Sequence, residues 1–507
     1  MRLSITRKVS DSASHCSRNV RSVAHVLVTL SLLGISAEAM GDDKPAAQVE
    51  APAKKKPAKK KPAKKTSTKR SEASPAITSK GKTSSKKTFQ VSGALLTQLH
   101  LRNDNDFDPT ERYDDLDGQS DGQLATFFSP TFTIRPGDGV TVRYRLELGW
   151  NAWSRNDPGQ PNQFFSMRTP GLLARHKLAW AQWKGDGVRL RAGFQQVSDP
   201  TGLFLNHAIG AVTTRLNLGA RHKRAQHLTL MVGQLPDTTI EGLDIRNDNF
   251  MTDTFIMGAR HRGIVNAQLH IDTGAYYLID RRALERPLDL GVLSMHLEWT
   301  QDDLEVWADV SGQYGEWGNS TVGGGDATIG SWATQVGLTK RVGKVSWGLN
   351  LIGVSGDDDH DGNDVMGAFF GSAKNRSRSV FLTEDETRDR YDNLDERLGS
   401  YWGPLAYSPA GLMLGEVSMG LKGHKQYHAR LVLATGAVMN PTRVFGQRYV
   451  GAEVSILQTF KLSDRASLTL NGLLFVPGGA AAVMINDIKR SARQGLYGGS
   501  AGFAARF

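Results

Sequence analysis

The 507-residue chain contains one cysteine, Cys16. It lies ahead of an apolar run at residues 26–35, in a segment that export would remove, so the mature protein is expected to have no thiol. Disulfides and cysteine-based zinc sites are thereby excluded. Beyond that run there is no stretch of about 18 apolar residues, which excludes helical membrane spans. A basic body is also missing. Residues 1–43 sum to +1 and residues 44–87 to +13, so of the +11 total the remaining 420 residues hold −3. A nucleic-acid partner needs a basic face on a folded surface, and no nucleic acid is expected here.

The front end has the parts of a secretory signal. Arg2, Arg7, Lys8, Arg18 and Arg21 precede the apolar run, and Ala37 and Ala39 flank Glu38 as a cleavage site. Residues 1–39 are therefore expected to be a signal peptide. Residues 40–87 form a Lys/Pro/Ala/Ser-rich linker, with fifteen Lys/Arg against Glu50 and Glu72 from residue 44 onward. Such a stretch cannot bury a core and should be disordered and self-repelling. It is a solvated spacer or, alternatively, a segment that adheres to a cell-wall polymer or lipid headgroups.

Residues 88–507 read as one all-β domain. In residues 140–151 Val140, Val142, Tyr144, Leu146, Leu148 and Trp150 alternate with Thr141, Arg143, Arg145, Glu147, Gly149 and Asn151, an apolar row on one face and a polar row on the other. The pattern recurs at 188–196, 264–280, 303–313 and 466–476. It partitions the body into about 18 strands joined by two alternating classes of connection. Tight turns are expected at 136–139, 184–187, 221–226, 262–263, 301–303, 341–344, 422–426 and 463–465. Longer polar loops are expected at 103–123, 155–171, 197–211, 236–251, 281–287, 315–327, 356–408, 439–446 and 478–495. Short periplasmic turns and long extracellular loops are the pattern of a transmembrane antiparallel β-barrel, closed because hydrocarbon leaves no strand edge satisfied. The expected location is the outer membrane of a Gram-negative-type cell, in contact with its lipid. Tyr497, Phe503 and Phe507 share one face of the final strand, and a terminal phenylalanine there resembles the assembly signal of bacterial outer-membrane barrels. Trp150, Trp180, Trp299, Trp332, Trp347 and Tyr427 lie near expected strand ends, where amphipathic rings suit the membrane interfaces.

With the apolar rows outward, the opposite rows line a lumen. Arg143, Arg145 and Glu147 fall on one strand, Arg175 and Lys177 on the next, Arg189 and Arg191 on the one after, and Arg215 on the one following. Neighbouring strands are about 4.8 Å apart, so these side chains would form a cationic ladder that sets ion preference. Asp272, Asp280, Glu298, Glu305, Asp309, Glu416 and Glu453 would add carboxylates farther round, with Lys344 and Arg430. The expected activity is passive passage of anions, without enzymatic chemistry or a required cofactor.

The R-x-R-x-E of Arg143, Arg145 and Glu147, the AWAQW of 179–183 and the RLRAGFQQVSD of 189–199, together with the strand count, resemble the alginate export family of 18-stranded outer-membrane barrels. Where that family commonly has Gly-Arg-Gln, this chain has Gly193, Phe194 and Gln195. The resemblance implies a porin or exporter carrying an anionic solute or polysaccharide through an arginine-lined channel.

The loop at 356–408 holds twelve acidic and six basic residues, and a loop of that length is usually functional; here it could fold over the mouth. Asp357, Asp359, Asp361 and Gly362 fit the start of a calcium loop, but its twelfth position is Ala368 instead of Glu. A second acidic loop lies at 103–121. Two other functions stay open. Ser294, His296 and Glu298 contain the residue types of a hydrolase, although one strand cannot supply a whole triad. The lysine-rich linker would instead suit a structural tether between outer membrane and cell wall.

Overall fold

A computed structural model describes residues 88–102, 122–154, 172–221, 224–234, 254–281, 287–318, 326–357, 365–371, 376–379, 382, 410–423, 426–486 and 495–507. All belong to one compact unit. The expected signal peptide and linker lie outside the described residues.

The strands in chain order are β1 (Thr88–Arg102), β2 (Gly122–Gly137), β3 (Val140–Ser154), β4 (Leu172–Lys184), β5 (Val188–Ser198), β6 (Asn206–Arg221), β7 (Arg224–Gln234), β8 (Thr254–Ile264), β9 (Leu269–Asp280), β10 (Leu288–Gln301), β11 (Leu304–Trp317), β12 (Ala327–Val342), β13 (Val345–Val354), β14 (Val365–Met366), β15 (Leu412–Lys422), β16 (Tyr427–Ala437), β17 (Tyr449–Lys461), β18 (Ala466–Pro477) and β19 (Leu496–Arg506). β14 is a two-residue strand added parallel to β12. The other eighteen pair antiparallel with their neighbours, β13 passes directly to β15, and β1 pairs with β19. The result is a closed antiparallel barrel of eighteen strands. Its closure is completed by two backbone hydrogen bonds between Gly93 and Phe507, both 3.1 Å, and the Phe507 ring stacks on Phe128.

Period-two patterning explains both faces. Val142, Leu190, Val212, Val232, Leu338, Leu351, Val417, Val454 and Leu474 are exposed on the outer wall. An apolar surface spread over so many consecutive strands belongs against hydrocarbon. Trp332, Trp347, Tyr497 and Phe503 join it. Trp180 does not. It is opposite Arg143 in the register and faces the lumen, so its expected interfacial position is corrected.

The tight turns fall at one end. Asp138 (φ 50°) and Gly139 (φ 77°) both take the left-handed conformation that a two-residue hairpin requires. One expected turn is misplaced: Arg262 and Gly263 belong to β8, and the chain reverses at 265–268. There the Asn266 side chain accepts from the backbone N–H groups of Gln268 and Leu269, at 2.8 and 2.7 Å, so an Asx-type contact makes the turn in place of glycine. The expected loop 197–211 is also shorter, because β6 already begins at Asn206.

At the loop end inward side chains narrow the lumen. Leu203, Phe204 and Leu205 from the β5–β6 connection, Phe369 and Leu382 from the β13–β15 connection, and Ala480–Ala482 of helix α1 (Gly479–Asn486) are buried with inward residues of the wall such as Ile209, Ile256, Leu290 and Ile329. Complete burial of a Leu or Phe side chain contributes about 1.5–3 kcal/mol, which favours holding the connections inside the barrel.

Candidate functional site

Register places the expected basic residues on one sector of the inner wall. Arg143 is opposite Trp180, Gln182 opposite Arg191, and Lys184 opposite Arg189, which is itself opposite Arg215. Arg191 lies with its guanidinium 4.3 Å from the Trp180 ring centre and Arg143 with its own at 5.8 Å. Both cations lie over the same ring, whose negative face attracts each of them. Gln182 Oε1 accepts from Nη2 and Nε of Arg191 at 2.8 and 3.3 Å. Arg143, Arg189 and Arg215 are close enough to repel Arg191. The buried Nε atoms of Arg143, Arg145 and Arg189 have no hydrogen-bond partner among the described residues. Glu147 is engaged by Lys177 at 3.1 Å and accepts from Ser129 Oγ at 3.3 Å. Arg175 is opposite Glu147 in the strand register.

Two further arginines, which sequence reading missed, extend the row. Arg262 is opposite Asp272. Arg260 grips Asp272 through Nε at 3.0 Å and Nη2 at 2.5 Å, while Nη1 donates to the Ser198 carbonyl at 3.0 Å. It therefore ties the wall to the start of the inward β5–β6 connection. Inside that connection Asp199 accepts from the backbone N–H groups of Thr201 and Leu205, at 3.0 and 2.9 Å.

Carboxylates dominate the opposite sector, and most are occupied by the second inward connection. Asp309 meets His296 Nδ1 at 2.6 Å and Arg376 Nε at 3.1 Å. Glu416 accepts from Ser377 Oγ and the Arg378 backbone at 2.6 and 2.7 Å, and Glu453 accepts from Ser379 Oγ and the Leu382 backbone at 2.5 and 3.0 Å. Gln313 contacts both backbone atoms of Phe370, and Gln335 accepts from the Arg376 backbone at 3.0 Å. The described part of the long loop is thus latched to β11, β12, β15 and β17. Arg376 also lies over the inward Trp307 at 4.6 Å. That indole fills the space opposite Gly337, where a Cβ would approach it to 2.3 Å.

Barrel, inner arginine row and inward loops together invite comparison with known proteins. No family model matches the sequence, and no curated protein does. Solved structures match along almost their whole length. Pseudomonas aeruginosa OccK9 (OpdG) aligns at TM-score 0.54 and 13% identity, covering 83% of this chain and 98% of that one. The fold is that of outer-membrane porins. Acinetobacter baumannii OccAB1 aligns at TM-score 0.52 and 11% identity over 83% and 96% of the two chains. A BenF-like porin from Pseudomonas fluorescens Pf-5 gives 0.51 and 10% over 83% and 98%. The alginate export family is not among these three.

The remaining expected sites separate clearly. Asp357 is buried and accepts from the Gly367 backbone at 3.2 Å, whereas Asp359 and Asp361 lie outside the described residues. For the hydrolase set, His296 directs Nδ1 to Asp309, and Ser294 Oγ makes no hydrogen bond to it. Glu305 faces Arg341 only at 3.8 Å, and Lys344 occupies the turn between β12 and β13.

Proposed function

We propose that the protein is an outer-membrane channel, without enzymatic activity, that passes anionic solutes along the row formed by Arg143, Arg145, Arg189, Arg191, Arg215 and Arg262. One observation carries this reading. Arg143 and Arg145 on β3 and Arg189 on β5 keep a buried Nε without an acceptor among the described residues, while Asp272 is committed to Arg260 and Glu147 is in contact with Lys177. A sector of the wall crowded with guanidinium groups draws counter-ions from solution, and the guanidinium fork of donors suits a carboxylate. The porin fold supports passage through the barrel. The residues packed inside at 199–205, 367–371, 376–379 and 382 favour a small anion over a polymer chain.

Single-channel recording in planar bilayers tests the proposal, with sodium gluconate and short uronic-acid oligomers as competing solutes in chloride. Gluconate should interrupt the chloride current at millimolar concentration, and a neutral sugar of the same size should not. Equal interruption by both, or a barrel that conducts nothing, would contradict the reading; the second outcome favours a structural tether.

A further inference from the structure

One group of lumen side chains is spaced as a ligand set. His270 on β9 is opposite Glu298 on β10, and His296 lies two residues before Glu298 on the same face. One ligand atom from each lies within 4.8 Å of the other two. His270 Nε2 is 3.4 Å from Glu298 Oε2, and His296 Nε2 is 3.5 Å from the same oxygen. Good N–H···O hydrogen bonds are shorter, about 2.7–3.2 Å. The two separations instead match the edge of a tetrahedron, about 3.3 Å for ligands roughly 2.0–2.1 Å from zinc.

Tautomer chemistry points the same way. His296 Nδ1 is 2.6 Å from Asp309 Oδ1, and the Asp309 side chain is fully buried. A neutral imidazole that donates Nδ1–H to Asp309 turns its Nε2 lone pair toward the Glu298 carboxylate. Two lone pairs facing each other need either a proton or a metal cation between them. A histidine whose other ring nitrogen donates to a carboxylate is also the usual arrangement of a metal-ligating imidazole. The opposing charge nearby is Arg376, with Nη2 at 3.2 and 3.4 Å from the two ring nitrogens of His296. It is matched by Asp309 Oδ2 at 3.1 Å, which leaves Glu298 to supply the negative charge of the site.

We propose that His270, His296 and Glu298 bind one divalent transition-metal ion of the zinc class on the lumen wall, with Asp309 as the positioning residue for His296. Three protein ligands leave a fourth position for water or a solute anion. Neither the charge selectivity of the pore nor the identity of its solute enters this inference.

The test uses the exported chain without a polyhistidine tag, refolded in detergent, stripped with chelator and checked for folding by heat-modifiable electrophoretic mobility. Titration with cobalt(II) chloride should give visible ligand-field bands that saturate at one equivalent and disappear on adding zinc chloride. His270→Ala and the isosteric Glu298→Gln should each weaken zinc binding at least tenfold. Asp309→Asn should weaken it about 10–100-fold while keeping the cobalt bands at saturation. Absence of stoichiometric binding by the folded wild-type chain would overturn the proposal. So would unchanged zinc affinity in folded Glu298→Gln, the outcome if an imidazolium simply bridges Asp309 and Glu298.

Discussion

Substituting Glu416→Gln and Glu453→Gln together should loosen the segment that narrows the lumen. Each carboxylate receives two hydrogen bonds from residues 377–382: Ser377 Oγ and Arg378 N on Glu416, Ser379 Oγ and Leu382 N on Glu453. A hydrogen bond to a charged group contributes about 1.5–3 kcal/mol and a neutral one roughly half that. Neutralising four such bonds while keeping the side-chain shape removes about 3–6 kcal/mol of latch energy. At 1.4 kcal/mol per factor of ten, the released population rises about 10²–10⁴-fold. Burial of Phe369 and Leu382 still opposes release, so either single variant should show mainly added current noise. In planar bilayers the double variant should show longer excursions to a conductance above the wild-type level. A double variant whose conductance histogram and noise equal those of wild type would refute the latch.

Other consequences are separable from this one. Trp180→Ala removes the surface shared by Arg143 and Arg191, worth about 0.5–2 kcal/mol for each cation–π contact, and should reduce gluconate block several-fold without unfolding the barrel. Arg260→Ala leaves Asp272 buried without its bidentate partner, a loss of about 3–5 kcal/mol, and frees Ser198; limited proteolysis should then cut within 199–205, and an unchanged digestion pattern would contradict the tie. A peptide of residues 44–87, carrying +13, should bind isolated cell envelope at low ionic strength and release in about 0.5 M salt, where the screening length falls well below 10 Å. Failure to bind at low salt would leave that segment as a spacer.

The barrel was legible because its strands obey one rule. Alternation in β3 put Val142 outside and Arg143 inside, and the same parity held wherever the strand ran without a bulge. Local chemistry defeated the pattern at particular residues. Arg262–Gly263 reads as a turn dipeptide, but Asn266 makes the reversal with its side chain, and the displaced turn concealed Arg260 and Arg262 as inward residues. Trp180 near the end of β4 reads as an interfacial anchor by type; only the pairing with Arg143 reveals a cation platform. Arg376 and the backbone groups that engage Glu416 and Glu453 lie in a loop with no period at all, so nothing in the sequence ties them to a particular strand. His296 beside Glu298 was visible as a polar pair. The third member, His270, reaches them only through the β9–β10 register.

The central claim is that the arginine row makes the lumen prefer anions, and the reversal potential across a tenfold potassium chloride gradient measures that preference directly. The wild-type barrel should reverse on the chloride side of zero, and Arg189→Ala plus Arg191→Ala should move the value several-fold in permeability ratio toward non-selectivity. A wild-type potential on the potassium side, unmoved by those two substitutions, would contradict the account.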